Sequence, residues 1–297
     1  SPNILQYPIA IQAIHRAGMT VVNVNPLSAS NELSQIIKDG NISTIFVWNG
    51  SCHTVDKIDK DAKACLDNVI VMSLADHFPP IKRTIINFVL SKVKKIIPKF
   101  SLKSYNVSEY LKIKDNDLDF DESIGQNIDI NSLAFLQYTG GTTGAAKGVQ
   151  LSHRNILSNF TQASQFIDFY LKEGSLINII TALPLYHIFS LTANFYTMFA
   201  YGKKNILITN PRDIEKFISI MVKNPPHAIT GVDTLFNALI SHPSIKKVDF
   251  SELKVLLGGG MSVQKATSEK WKKLTGNFIL EAYGLSETSP AVTINPH

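Results

Sequence analysis

The sequence predicts an α/β fold arranged as two stacked α/β subdomains, one over residues 1–170 and one over 171–297. Three observations predict it. Helix-like and strand-like segments alternate along the chain, the pattern of parallel sheets with helices on their faces. The length of 297 residues exceeds what a single hydrophobic core usually serves. A composition of 44% hydrophobic and 18% charged residues, without internal repeats or low-complexity tracts, is that of an ordinary globular protein.

In the first half, periodicity predicts a helix over 9–17, a strand at 19–25, a helix over 31–39 and strands at 42–48 and 68–74. The segment INFVLSKVKKIIPK, residues 86–99, reads as a basic amphipathic helix stopped at Pro98. Its apolar residues Ile86, Val89, Leu90, Val93, Ile96 and Ile97 fall within an arc of roughly 120° at the helical period, with Lys92, Lys94 and Lys95 off that arc. Such a helix fits either packing on its own domain or contact with an anionic membrane surface. Residues 115–131, with five Asp and one Glu between Asp115 and Asp129, read as a surface connection. A strand at 133–138 then leads into YTGGTTGAAKG, residues 138–148, followed by a short apolar stretch at 149–151. Ser152 suits the N-cap of a helix running toward Tyr170. The second half carries strands at 176–181, 205–209, 228–230, 255–257 and 277–282, with helices over 213–222 and 263–274.

Composition excludes several classes. The net charge of +5 would suit nucleic acid, an anionic membrane or phosphate-bearing substrates, but the lysines are scattered, which argues against nucleic acid. Cys52 and Cys65 alone cannot build a disulfide framework or a structural zinc site, so a reducing, cytoplasmic setting is expected. The first residues have a helical apolar pattern without a basic leader, so no signal peptide is read and the chain is expected to begin inside a domain. Residues 174–202 lack Asp, Glu, Lys and Arg over a length that could span a bilayer. Asn178, Pro184, His187 and Asn194 interrupt that stretch and favour a buried strand, loop and helix.

The glycine loop is the strongest chemical signal. A loop that cradles phosphate needs inward backbone N–H groups, no Cβ in the way and small hydroxyl donors. Gly140, Gly141, Gly144 and Gly148 meet the steric need, Thr139, Thr142 and Thr143 supply hydroxyls, and Lys147 balances charge. The mononucleotide P-loop spacing GxxxxGK[ST] is not met. From residues 140–144 alone, a hydrolase elbow with threonine in place of serine, or a plain hairpin turn, stays open.

Taken with VQLSHRN after it, YTGGTTGAAKG resembles the phosphate-binding signature of the adenylate-forming acyl-CoA synthetases. Further matches follow in that family's order: PLYHIFSLT at 184–192, TNPRDI at 209–214, GVDTLFNAL at 231–239, LGGGMSVQ at 257–264 and EAYGLSETSP at 281–290. The resemblance runs along the whole chain and is nearest to bacterial long-chain fatty-acid:CoA ligases, and it displaces the hydrolase reading.

The resemblance implies the large domain of such an enzyme, with ATP and CoA as co-substrates, Mg²⁺ as cofactor and a fatty acid as acyl donor. It implies that Tyr138, Thr139, Gly140, Gly141, Thr142, Thr143, Gly144, Ala145, Ala146, Lys147, Gly148 and Val149 form the phosphate loop. It implies that Glu287 binds Mg²⁺, that Ser286, where the family usually has threonine, donates to the α-phosphate, and that His187 orients the carboxylate or shapes the acyl pocket. Tyr283 and Gly284 with Gly258, Gly259 and Gly260 would border adenine and the acyl channel. Without the family, His187 could be a core histidine, Glu287 a helix-start carboxylate, and 258–260 a tight turn. The active site is expected in a crevice between the subdomains. The family's ribose-binding aspartate, hinge and small lysine-bearing C-terminal domain do not occur before His297, so a fragment is expected. The alternative is a non-catalytic nucleotide- or lipid-binding module. A cytoplasmic location follows, peripheral to the inner membrane face if 86–99 touches lipid.

Overall fold

The computed structural model describes residues 1–113, 123, 125, 127–139, 146–171 and 178–295. Two compact units divide at Gln150 and Leu151.

The first unit opens with α1 (Gln6–Arg16), β1 (Val21–Asn23), α2 (Ser30–Asp39), β2 (Thr44–Trp48), α3 (Cys52–Asp56), α4 (Lys60–Cys65) and β3 (Asn68–Met72). It continues through α5 (Pro80–Phe88), β4 (Asn106–Glu109), β5 (Leu133–Thr139) and β6 (Lys147–Ser152). Two three-stranded sheets result, in orders β2-β3-β4 and β1-β5-β6. Strands β2, β3 and β4 run parallel, as do β1 and β5, with Val21 opposite Phe135 and Asn23 opposite Gln137. The α2 sequence explains its own helix: Leu33, Ile36 and Ile37 fall on one buried stripe, Glu32 sits in the first turn and Lys38 in the last. Leu33 and Ile37 pack with Val47, Val55, Ile58 and Val69 in one core. A buried chain of hydrogen bonds fixes α1 to the sheet: Tyr7 Oη donates to Asn23 Oδ1 at 2.6 Å, and Asn23 Nδ2 donates to Gln137 Oε1 at 3.1 Å.

The amphipathic helix differs from its expected bounds. It begins at Pro80, continues as a π-helical turn over Val89–Val93, and has ended by Lys95, which takes φ +50°. Pro80 occupies the first helical position, where its missing N–H costs nothing, so a dipeptide that reads as a breaker is here a start signal. Ile86, Val89, Leu90 and Ile97 are half-buried. Val93 and Ile96, expected on the same stripe, are exposed, as are Ile81, Ile85 and Phe88 on an outer face the sequence pattern had not revealed. Strand β4 also went unread, because Asn106, Ser108 and Glu109 give it no apolar alternation. The acidic connection at 115–131 lies mostly outside the described residues.

The second unit contains α6 (His153–Leu171), β7 (Asn178–Thr181), α7 (Ile188–Ser190), a π-helical stretch Leu191–Tyr196 and α8 (Thr197–Ala200). These are followed by β8 (Lys204–Leu207), α9 (Ile214–Lys223), β9 (Ala228–Gly231), α10 (Asp233–Ser241), β10 (Val255–Gly258), α11 (Lys265–Thr275), β11 (Leu280–Gly284) and β12 (Ala291–Ile294). Its six-stranded sheet has the order β12-β11-β10-β9-β7-β8, parallel except for β12 against β11. Ser152 caps α6, its Oγ accepting from Asn155 N at 3.2 Å while Asn155 Oδ1 accepts from Ser152 N at 2.9 Å. The helix expected to end the first subdomain near Tyr170 packs instead within the second unit: Asn159 Nδ2 donates to Ala291 O at 2.8 Å and its Oδ1 accepts from Ala291 N at 3.0 Å. The uncharged stretch forms β7, a turn and short helices in its described part, and no helix among the described residues is long and apolar enough to cross a membrane.

Trp271 of α11 is the centre of this unit's core. It is wholly buried, meets Phe236 and Phe250 edge-on at 5.6 and 5.7 Å, and donates from Nε1 to Phe236 O at 3.0 Å. Trp271→Ala is expected to destabilise by about 3–5 kcal/mol, the usual range for losing a buried aromatic. Trp271→Phe, which keeps most of the packing but removes the indole's bond to the Phe236 carbonyl, should cost about 0.5–1.5 kcal/mol. Urea unfolding followed by tryptophan-independent circular dichroism checks the order of the two.

Candidate functional site

The site residues of the second unit gather at the carboxyl ends of parallel strands, where open α/β sheets place their ligands. Thr181 ends β7 and Thr230 lies near the end of β9. Asn194, wholly buried in the π-helical stretch, joins them: its Oδ1 accepts from Thr230 Oγ1 at 2.9 Å and its Nδ2 donates to Thr181 Oγ1 at 3.2 Å. Thr181 Oγ1 in turn donates to Asn205 Oδ1 at 2.6 Å. Thr192 Oγ1 donates to Ser289 O at 2.9 Å, and Ser190 Oγ to Leu183 O at 2.8 Å. The helical segment is thereby fixed to the sheet edge at both of its flanks.

That fixes His187, the residue before the segment. His187 has extended backbone (ψ 133°), and its Nδ1 accepts from Phe189 N at 3.3 Å as the helix cap. The ring reaches the surface, yet the surrounding protein desolvates it and lowers its pKa below the usual histidine value. The neutral imidazole is therefore the form that caps, since a protonated Nδ1 has no lone pair to accept with.

Two residues on, the Phe189 ring lies against the glycine turn. A Cβ on Gly259 would stand 3.1 Å from Phe189 Cε1 and 3.0 Å from Ala282 O, and one on Gly258 would stand 2.5 Å from Val263 Cγ2. Both positions are closed to side chains, and Gly260 takes φ +77°, so GGG here is a packing and conformational requirement. The turn consequently runs directly beside Ala282, and Tyr283 next to it is 59% exposed, its ring accessible for stacking. Ser286 and Glu287 follow on a single 3₁₀ turn, Ser286–Thr288, with Glu287 exposed. No cluster of three His, Cys, Asp or Glu that could enclose a metal exists among the described residues. One exposed carboxylate still suits Mg²⁺, which is commonly held by one or two carboxylates together with substrate phosphates and water.

In the first unit, β5 ends at Thr139 and β6 begins at Lys147, adjacent strands of one sheet. Thr139, Ala146, Gly148 and Val149 are half-buried and Lys147 is exposed. Gly140, Gly141, Thr142, Thr143, Gly144 and Ala145 lie outside the described residues. Tyr138 packs across the pair of strands on Gly148, where a Cβ would stand 3.1 Å from Tyr138 Cζ, and its hydroxyl donates to the Asp39 carboxylate. Desolvation and that carboxylate raise the Tyr138 pKa, keeping the phenol protonated. Sequence reasoning missed Asp39, Phe189, Thr192 and Ser289. Asn194 had been noted only as an interruption in an apolar run, although a polar residue buried in such a run calls for a partner.

Comparison with known proteins adds the family. A family model described as AMP-binding enzyme matches residues 1–297. The chain is 43% identical over 297 residues to a long-chain-fatty-acid–CoA ligase of Escherichia coli O6:H1 and 44% identical over 296 residues to one of Yersinia pestis. It covers 52% of each, so the chain spans about half the length of the curated relatives it matches. Among solved structures, an anthranilate CoA ligase in complex with anthranoyl-AMP superposes with a TM-score of 0.73 at 16% identity, covering all of this chain and 51% of that one, a likeness of fold. With the family model matching from the first residue to the last and the fold shared with an adenylate-bound ligase, the chain belongs to the AMP-binding enzyme family.

Proposed function

We propose that residues 1–297 are the larger part of the adenylation domain of an AMP-forming long-chain fatty-acid–CoA ligase. The observation that carries this reading is identity of 42–44% along the whole chain to bacterial long-chain-fatty-acid–CoA ligases. In the first half-reaction a carboxylate oxygen of the fatty acid attacks the α-phosphorus of ATP, and the bond to pyrophosphate breaks. In the second, the CoA thiolate attacks the acyl carbon, and AMP leaves. Both steps crowd negative charge, so positioning and neutralisation are what the protein must supply.

Each role goes to a residue whose setting suits it. Thr139 to Gly144 with Lys147 would hold the β- and γ-phosphates, while Tyr138, Gly148 and Val149 form the base of that loop. Glu287 would ligate Mg²⁺, whose charge would offset that of the phosphates. Ser286 would donate its hydroxyl to the α-phosphate. Tyr283 and Gly284 would face adenine, with Gly258 to Gly260 giving close backbone approach. His187, neutral and held by its capping bond, would orient the carboxylate without competing for its charge. The non-catalytic alternative has no observation in its favour. We further propose a cytoplasmic ligase whose basic helix touches the inner face of an anionic membrane. Residues 77–108 support this, holding Lys82, Arg83, Lys92, Lys94, Lys95, Lys99 and Lys103 and neither Asp nor Glu.

In the complete polypeptide, incubation with ATP, palmitate and CoA should release pyrophosphate and AMP; absence of acyl-CoA product would overturn the reading. Glu287→Gln should lower the pyrophosphate-release rate roughly 100-fold or more, the scale of losing one transition-state charge contact. Replacing Lys92, Lys94 and Lys95 by Glu should weaken flotation with anionic vesicles and leave turnover with dispersed substrate intact; unchanged flotation would leave the helix an ordinary surface element. Because desolvation lowers the His187 pKa, the unfolded chain binds a proton that the fold does not, and stability falls as pH drops below about 6.5. His187→Asn keeps a capping acceptor and should flatten that part of the melting-temperature profile.

A further inference from the structure

The last residues of β5 are held from both faces of their sheet. Side chains alternate along a strand, so Gln137 and Tyr138 point to opposite sides. Gln137 is buried, and its Oε1 accepts from Asn23 Nδ2, which belongs to the chain of bonds reaching Tyr7 of α1. On the other face Tyr138 is half-buried and donates its hydroxyl to Asp39 Oδ2, on the last residue of α2. The same ring reaches across to β6 and fills the space that a side chain at 148 would need, since a Cβ there would stand 3.1 Å from Tyr138 Cζ and 3.4 Å from its hydroxyl oxygen. Thr139 directly follows Tyr138 and Lys147 directly precedes Gly148. One side chain, steadied by Asp39, therefore touches the roots of both strands that flank residues 140–146.

The helix itself gives no reason for an aspartate at 39. A carboxylate on the last residue of a helix faces the negative end of the macrodipole, the unfavourable end for an anion. Asp39 is exposed, so it adds nothing to the stripe of Leu33, Ile36 and Ile37 that packs α2 on the core. Neighbouring Lys38 is committed to Asp59 at 2.8 Å, and no ion pair to Asp39 occurs among the described residues. What the carboxylate does offer is a charged acceptor, which makes the hydrogen bond from the phenol stronger than a neutral one would be. A glycine-containing segment loses much conformational freedom on ordering, and it loses less on binding a ligand when its ends are held beforehand.

We propose that Asp39 is a positioning residue for ATP: acting through the Tyr138 hydroxyl, it fixes the two roots of the loop that would hold the β- and γ-phosphates, while Asn23 and Gln137 fix the opposite face. The role rests on the ligase reading above and extends it to a residue of α2, outside every motif of the site. Asp39 acts through Tyr138 and is assigned no contact with substrate.

Steady-state kinetics of the complete polypeptide, with ATP, palmitate and CoA varied separately, test it. Asp39→Ala and Tyr138→Phe should each raise the KM for ATP about tenfold and leave those for palmitate and CoA within about twofold, the pattern of a misplaced phosphate site. Asp39→Asn, which keeps an acceptor oxygen, should bring the KM for ATP back to within about threefold of the parent. The double variant should be no worse than either single one, because both remove the same bond. An unchanged KM for ATP in Asp39→Ala, an equal rise for all three substrates, additive effects in the double variant or no recovery with Asn would each overturn the proposal, leaving the bond a purely structural one. The Kd for a non-hydrolysable ATP analogue should rise in step with the KM for ATP, and this is read without turnover. A parent that binds the analogue yet makes no acyl-CoA would sink the ligase reading alone, and the ratio of Kd values between Asp39→Ala and parent would still decide the role of Asp39.

Discussion

Asn194 hydrogen-bonds to Thr181 and Thr230 at the ends of neighbouring strands, and the second unit's site depends on that contact. A wholly buried amide left without partners costs about 1–3 kcal/mol for each lost bond, so its two short threonine contacts strongly favour one placement of the helix. From that placement the rest follows in steps. The helix start puts His187 at the sheet edge, Phe189 presses on Gly259, and Gly259 lies against Ala282. A polar network holding a site-bearing helix is also more specific than an apolar contact, since sliding the helix by one turn would orphan every member.

The site and the core make opposite demands on that edge. The core side is filled by Trp271, Phe236, Phe217 and Met221, all essentially inaccessible, while the outer edge keeps glycine wherever two backbones approach. Gly231 follows the same rule, since a Cβ there would come within 2.9 Å of Phe236. Glycine destabilises the unfolded-to-folded balance through its extra freedom, so its retention at 231, 258 and 259 marks positions where close approach outweighs that cost.

Much of this was legible from sequence. Parallel strands with buried centres announce themselves as short apolar runs, and Ile179, Ile180, Ile229 and Leu256 fall inside the predicted strands and inside the core. The glycine turn and the YGLSE segment were legible through family resemblance. Three things were not. Strand β4 is a polar edge strand, whose pairing rests on its backbone. The outer face of α5 lay hidden because Pro79–Pro80 reads as an interruption. The bonds of Asp39, Thr192 and Ser289 connect residues 99 and 97 positions apart, and no local pattern reports such pairings.

The turn that carries Ser286 and Glu287 is braced by its own neighbours. Tyr283 and Gly284 sit at an irregularity in the β11–β12 pairing, and a Cβ on Gly284 would meet the Pro290 carbonyl oxygen head-on at 2.1 Å. That carbonyl accepts from Leu285 N at 3.0 Å and faces the Thr288 hydroxyl, which itself accepts from Leu285 N at 3.0 Å. Ser289, with φ +73°, closes the turn and presents its own carbonyl to Thr192. Four residues thus hold one another while the Glu287 side chain takes no part and stays in water. The backbone course of the turn is thus set by bonds within the segment and to Thr192, and it does not depend on where the Glu287 side chain points.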